Sequence, residues 1–319
     1  MLLGPSGLFV LSAKDFQMFQ DYLFFGTDVE TRYAFRMIHL SGLVRHAQSL
    51  HCLTNPQAEL LGQGLMAGVL LASILEDEER INLRFHAGQD CTMGIETTRQ
   101  AVTRGYLECN ESSELVAQLN QGQKPVFPWV VRSLRSKGDS SNLFEGISGT
   151  QTDSLEMAVN EHLRDSYQMK TQVKLDCWQS PVDGSLHAMG VIYLELPHLK
   201  TEVSHELWNH IDQLPPLRHF VDATQHNPDS IASALIPHQV RAINSLNPVW
   251  GCGCSQVSVE NVIMKLGQQE LKSMIDEAKP AEVRCHYCNK TYVVDLTRMK
   301  KMYEELGGLV GSGETSPLN

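Results

Sequence analysis

The sequence predicts an α+β fold in three parts: a large N-terminal mixed α/β domain, a mainly helical linker and a small C-terminal cysteine domain. Three observations carry this expectation. Helical and strand-like patterns alternate over residues 15–198 without the regular βαβ order of a doubly wound sheet. Residues 199–250 are interrupted by Pro215, Pro216, Pro228, Pro237 and Pro248. Beyond them, four cysteines come as two close pairs, Cys252-Gly253-Cys254 and Cys285-His286-Tyr287-Cys288. A chain of 319 residues can build one large core and one or two smaller units. The expected parts are 1–198, 199–250, 251–306 and a disordered tail over 307–319.

In the first part, Thr54-Asn55-Pro56 is a helix start, a capping residue just ahead of a first-turn proline. The apolar run from Leu60 to Leu75 follows. It is shorter than a bilayer span and carries Gly62, Gly64 and Gly68, so it predicts a tightly packed core helix. Ile81, Leu83 and Phe85 alternate as in a half-buried strand. Ser154 precedes Leu155, Ala158, Val159 and Leu163, which share one helix face. Gln172–Trp178 and His187–Leu196 read as strands, joined into a hairpin by Pro181-Val182-Asp183-Gly184. The N-terminus lacks the basic and small-residue features of a secretory signal, so no resting disulfide framework is expected among Cys52, Cys91, Cys109 and Cys177. Cys177 lies in phase with Val173 and Leu175 and reads as a small buried hydrophobe.

The linker opens with a helical stripe at Leu199, Val203, Leu207, Ile211 and Leu214. Proline blocks helix continuation, which leaves short helices that are marginal alone and must lean on another surface. Six of the 13 histidines fall here or at its entrance (His198, His205, His210, His219, His226 and His238); solvated helix faces are the favoured reading, and a pH-sensing role is the alternative. In the cysteine domain, Val259, Val262, Ile263 and Leu266 mark a helix that Gly267 ends, and Leu271, Met274 and Ile275 mark a second. Short strands at Glu282–Arg284 and Thr291–Val294 flank the second cysteine pair, and a final helix follows through Leu306.

Two thiol pairs brought together across a folded insert are what a tetrahedral zinc ion needs, so Cys252, Cys254, Cys285 and Cys288 are candidate ligands for one Zn²⁺. Four cysteines fill the tetrahedron and leave His286 as a bystander. Each pair also contains a resolving partner: a sulfenic acid on one sulfur can condense with its neighbour, and neither disulfide can hold the metal. A structural zinc site contributes about 10–16 kcal/mol, whereas a small domain is stable by only about 5–15 kcal/mol, so zinc loss is expected to unfold this module. Loosening of the linker would then expose Leu199, Val203, Leu207, Trp208, Ile211, Leu214 and Phe220, a candidate surface for other apolar chains. A zinc ribbon that is purely structural is the alternative, as is a thiol–disulfide oxidoreductase using Cys285 and Cys288, although no thioredoxin-like βαβ context surrounds them. The net charge of −11 argues against a nucleic-acid partner, and residues 251–306 hold eight basic and eight acidic side chains. Neither a P-loop nor a Gly-x-Ser-x-Gly motif occurs.

The segment around these cysteines resembles the zinc-binding domain of the heat shock protein 33 family. The resemblance rests on Cys252-Gly253-Cys254-Ser255, Leu266-Gly267, Glu270-Leu271, Met274-Ile275 and Ala281 through Tyr292 with its Cys285-His286-Tyr287-Cys288 core. Asn55-Pro56, Ala58, Leu61-Gly62 and Arg104-Gly105-Tyr106 extend it more weakly over residues 20–305. The resemblance implies a cytoplasmic, redox-regulated holdase chaperone that works without ATP and is inactive while reduced and zinc-loaded. It further implies Cys252–Cys254 and Cys285–Cys288 disulfides on oxidation, zinc release, linker unfolding, capture of unfolding client proteins and a homodimer in the active state, with no membrane partner.

Overall fold

The structure, a computed structural model, describes residues 21–28, 33–110, 112–123, 126–138, 144–167, 170–196, 201–223 and 227–311. The chain divides into two units, Met1–Gly251 and Cys252–Asn319. Among the described residues, the first unit holds β1 (Tyr22–Asp28), β2 (Tyr33–His39), α1 (Ser41–His51), α2 (Asn55–Ala72), β3 (Glu79–Ala87), β4 (Cys91–Thr98) and β5 (Val102–Cys109). It continues with α3 (Glu114–Asn120), β6 (Phe127–Lys137), β7 (Phe144–Thr152), α4 (Leu155–Ser166), β8 (Thr171–Gln179) and β9 (Leu186–Glu195). Then come α5 (Thr201–Gln213), α6 (Arg218–Ala223), α7 (Pro228–Leu235), β10 (Val240–Leu246) and β11 (Val249–Trp250).

The expected core helix is α2, entered through Pro56 in its first turn and steadied by the Thr54 N–H, which donates to Gln57 Oε1 at 2.9 Å. From Leu60 to Ala72 it is buried nearly all round, because it lies between two sheets. One sheet runs β10-β1-β2-β9-β8, all antiparallel. The other runs β11-β5-β4-β3-β6-β7, antiparallel except where β11 lies parallel to β5. The glycines set the approach distances: a Cβ at Gly62 would meet Cys177 Sγ at 2.7 Å, and one at Gly68 would meet Ile95 Cγ2 at 2.5 Å. Cys177 is buried in this core, as its phase in the sequence predicts. The expected β8–β9 hairpin forms, with Gly184 in the left-handed region at φ 71° in its turn.

Strand side chains alternate between faces. Leu23, Ile38, Ile192 and Leu194 face α2, while Phe24, Phe35, Met37, Val191 and Tyr193 form a second apolar layer on the opposite face. Linker helices α5, α6 and α7 cover that second layer with Leu207, Ile211, Val221, Ile231 and Leu235, joined by Leu217 from the turn before α6. Burial of each leucine or isoleucine is worth about 1.5–3 kcal/mol, which is how short helices persist here. The linker is not helical throughout. Its last part forms β10 against β1 and β11 against β5, so it is stitched to both sheets. Val240–Leu246 is mostly exposed and lacks a clean apolar alternation, so its strand state comes from its partner rather than from its own pattern.

The second unit holds α8 (Gln256–Lys265), α9 (Gln268–Asp276), a hairpin of β12 (Ala281–Arg284) and β13 (Thr291–Val294), and α10 (Leu296–Gly311). Gly267, at φ 94°, separates α8 from α9 as expected. Val259, Ile263, Leu271, Val294, Met299 and Met302 make a separate small core. The final helix runs to Gly311, past the point at which a disordered tail is expected to begin, and residues 312–319 lie outside the described ones. Among the described residues, no helix is long and apolar enough to cross a membrane.

Candidate metal and redox centre

The two knuckles are built by different local devices. Cys252 and Cys254 lie between β11 and the capped start of α8, where Ser258 N donates to Ser255 Oγ at 3.1 Å and Ser255 N donates to Ser258 Oγ at 2.7 Å. This places Cys254 beside a helix N-terminus, an environment that favours a thiolate. Cys285 and Cys288 occupy the β12–β13 turn. There Cys285 N donates to Lys290 O at 2.9 Å, Asn289 N donates to Cys285 O at 2.8 Å, and Asn289 takes a left-handed φ of 57°.

These devices bring all four sulfurs within 4.8 Å of one another. The Sγ separations are 3.3 Å for Cys252–Cys254, 3.7 Å for Cys252–Cys285 and 3.2 Å for Cys254–Cys288. A tetrahedral zinc ion with bonds of about 2.3 Å requires sulfurs about 3.8 Å apart, so the four thiols fit such an ion with small adjustments. His286 is exposed and is not in the sulfur cluster.

Hydrogen bonds divide the sulfurs electrostatically. Burial pushes the Cys254 thiol up, but hydrogen bonds from Tyr292 and the neighbouring thiols bring it down to about 7. The Tyr292 hydroxyl lies 3.1 Å from Cys254 Sγ and 3.0 Å from its carbonyl oxygen. Burial drives Cys288 the other way, to about 12, against a hydrogen bond from the Lys290 backbone. Burial also raises Cys285, opposed by the N–H groups of Cys288 and Tyr287. The cluster therefore contains one sulfur poised to be a thiolate near neutral pH, beside others that a cation would have to deprotonate.

The candidate apolar surface of the linker is covered. Leu207 and Ile211 are buried, Val203, Trp208, Leu214 and Phe220 are half-buried, and Leu199 lies outside the described residues. Polar ties that no local motif marks hold this cover down. Arg218 donates to Asp176 from its main-chain N at 3.0 Å, from Nε at 3.0 Å and from Nη2 at 2.6 Å, and its guanidinium lies 5.5 Å from the Trp178 ring centre. Trp208 Nε1 donates to Glu195 at 2.9 Å and Ser204 Oγ donates to it at 2.7 Å. The histidines divide: His205 and His219 are exposed as expected, His198 and His226 are outside the described residues, and two are bonded. His210 Nε2 lies 3.2 Å from Leu235 O, and His238 Nδ1 lies 3.0 Å from the Tyr33 hydroxyl.

A further correction concerns the scattered cysteines. Cys91 and Cys109 are joined by a disulfide, with Cα atoms 4.1 Å apart. They sit directly opposite in the β4–β5 register, a pairing 18 residues apart that only the hairpin creates. Strand alternation ending at both cysteines was the available signal. Cys52 is exposed and Cys177 is buried, and both are free thiols.

Comparison with known proteins agrees with the motif-based resemblance. A family profile described as "Hsp33 protein" matches residues 21–295. A 33 kDa chaperonin of Halalkalibacterium halodurans is 24% identical over 254 residues, covering 77% of this chain and 85% of that protein. A 33 kDa chaperonin of Shouchella clausii is 26% identical over 254 residues, covering 77% and 84%. The crystal structure of the 33 kDa chaperonin (heat shock protein 33 homologue) of Thermotoga maritima superposes with a TM-score of 0.74 at 17% identity, over 90% of this chain and 98% of that one. The N-terminal sheets, the linker and the cysteine unit therefore follow a known fold.

Proposed function

Because this chain belongs to the Hsp33 family, we propose that it is an ATP-independent holdase chaperone, cytoplasmic, switched on by oxidation of Cys252, Cys254, Cys285 and Cys288. The observation that carries the reading is a compact four-sulfur cluster in a chain whose linker covers an apolar sheet face. A bound zinc ion would be held by the four thiolates and would supply structural cross-linking of the second unit. On oxidation, each sulfur pair loses two electrons and forms one S–S bond. With hydrogen peroxide as oxidant, each pair of thiolates consumes one peroxide and two protons from solvent, and the peroxide leaves as two waters. The pairs are Cys252–Cys254 and Cys285–Cys288, and a disulfide no longer offers thiolate donors to zinc.

Only Gly251 separates Cys252 from β11, so loss of order at the cluster loosens the point at which the linker is stitched to β5. Release of the linker uncovers both Leu207 and Ile211 and the sheet face beneath them, including Phe35, Met37 and Val191. Contiguous apolar surface of this kind captures unfolding proteins, and in the oxidised state it also supports a homodimer.

The test is to treat purified reduced protein with peroxide or hypochlorous acid, measure zinc by a chromogenic chelator, map the disulfides and follow aggregation of a heat-unfolded client. Release of one zinc per chain, the two local disulfides and suppressed aggregation are expected. Zinc retained with no client protection refutes the switch.

A further inference from the structure

Among the described residues, β8 is the last strand of its sheet, so one side of its backbone meets no other strand. Its side chains serve both faces. Val173, Leu175 and Cys177 enter the core around α2, while Gln172, Asp176 and Trp178 meet the linker. Its free edge is filled by side chains. The carboxamide of Asn160 on α4 accepts from Val173 N at 2.8 Å and donates to Val173 O at 3.0 Å, the same two bonds that one residue of a neighbouring antiparallel strand would make. Two residues along, Glu156 accepts from Leu175 N at 2.6 Å, and the Glu59 carboxylate accepts from the Gln179 N–H. Outward N–H groups on a strand recur every second residue, and these plugs follow that repeat.

We propose that the β8 edge is a docking strand for an extended segment of unfolded polypeptide, which adds to the five-stranded sheet in place of the Asn160, Glu156 and Glu59 side chains. The proposal rests on the chaperone reading and names where a client backbone would bind. Natural sheet edges are blunted by lysine, proline, bulges or a covering helix; α4 covers this one, so an incoming segment must lift α4 from β8. Here the edge is satisfied by groups that copy peptide hydrogen bonding, which a real peptide can replace one for one. Two clefts lie along it, of about 690 and about 660 Å³, and both include Glu156 and Lys174. Their apolar walls, Met157, Tyr167 and Trp208 in one and Leu60, Leu115 and Trp129 in the other, offer surfaces for apolar side chains of the incoming segment. Linker residues line both clefts, Trp208 the first and Leu214–Arg218 the second, so linker release opens the groove. The nine residues of β8 suit an extended segment of about five to seven residues, held by main-chain bonds that tolerate many sequences.

The test uses the full chain, reduced and oxidised, with a fluorescent seven-residue peptide of alternating valine and threonine. Two further peptides carry backbone N-methyl groups on the odd or on the even residues. Oxidised protein is expected to bind the parent peptide, and methylation of one set alone is expected to weaken binding at least tenfold. Asn160→Ala, with folding checked by thermal unfolding, is expected to tighten binding at least threefold. No peptide binding, or equal effects of the two methylated sets, overturns the proposal, whether or not Asn160→Ala folds. Light scattering detects the other occupant: dimerisation that Asn160→Ala strengthens and peptide does not compete places a second copy on this edge and also overturns it. Client aggregation followed in parallel separates the two readings, because protection without set-selective peptide binding leaves the chaperone standing and removes only the β8 site.

Discussion

Arg218 converges on Asp176 through its main-chain N–H and its guanidinium, although the two residues are 42 positions apart. Asp176 is largely buried whereas Arg218 is partly exposed, so solvent screening limits the worth of the charge pair itself. The greater cost of losing the Arg218 side chain is a buried carboxylate deprived of two of its three donors, the main-chain N–H remaining. Arg218→Ala is therefore expected to destabilise the first unit by about 1–3 kcal/mol and to make the linker more susceptible to limited proteolysis in the reduced protein. Denaturant unfolding and protease digestion check both effects. His162 makes a second prediction at this scale. It is buried between Ser133 and Ser148, 2.8 Å from one hydroxyl and 2.9 Å from the other, and burial lowers its pKa to about 4. Above pH 6.5 the imidazole is neutral in both folded and unfolded chains, and the stability is fully present. As pH falls from about 6.5 to about 4 the unfolded chain takes the proton first, so stability is lost, by at most about 3 kcal/mol. Unfolding at pH 7 and pH 4.5 should show this loss, and His162→Gln should remove that component of it.

Helix α2 works as a spacer whose small residues let two sheets approach it, since Gly62 abuts Cys177 and Gly68 abuts Ile95. A methyl group gained at Gly68 improves helix propensity by about 1 kcal/mol but forces Ile95 from its place. Gly68→Val adds bulk and β-branching to that clash and is expected to cost about 2–4 kcal/mol, measurable as a lower midpoint in thermal unfolding. Much of α2 was legible in the sequence because its start signals and apolar run are local. The β8–β9 hairpin was legible for the same reason. Strands β10 and β11 were not, because Val240–Leu246 is mostly exposed and Val249–Trp250 is two residues long. Their identity as strands depends on β1 and β5, which are remote in sequence.

At the scale of the whole molecule, each unit has its own apolar core. The core of the second is small, with Cys254 and Cys285 packed against it, so a metal held by the four thiols would contribute a large share of that unit's stability. Removal of metal by a strong chelator under reducing conditions is expected to raise amide hydrogen exchange across residues 252–311, and next in β11 and β10, while α2 and the strands around it stay protected. Hydrogen exchange followed by mass spectrometry tests this order. Unchanged protection of residues 252–311 after metal removal contradicts the dependence of that unit on zinc.

The sequence by itself determined the four-cysteine pattern, the core helix, the hairpin before the linker and the proline-broken linker, because each depends on spacing or period within a short stretch. It also identified the linker's apolar stripe without saying what covers it. Only the tertiary structure decided that the opposite face of the five-stranded sheet covers that stripe and that Asp176 holds Arg218. The same holds for the pairing of Cys91 with Cys109 and for the side chains of α4 that fill the edge of β8. These are contacts between separate elements, fixed by strand register and layer packing, and no local pattern of residue types encodes which surfaces will meet.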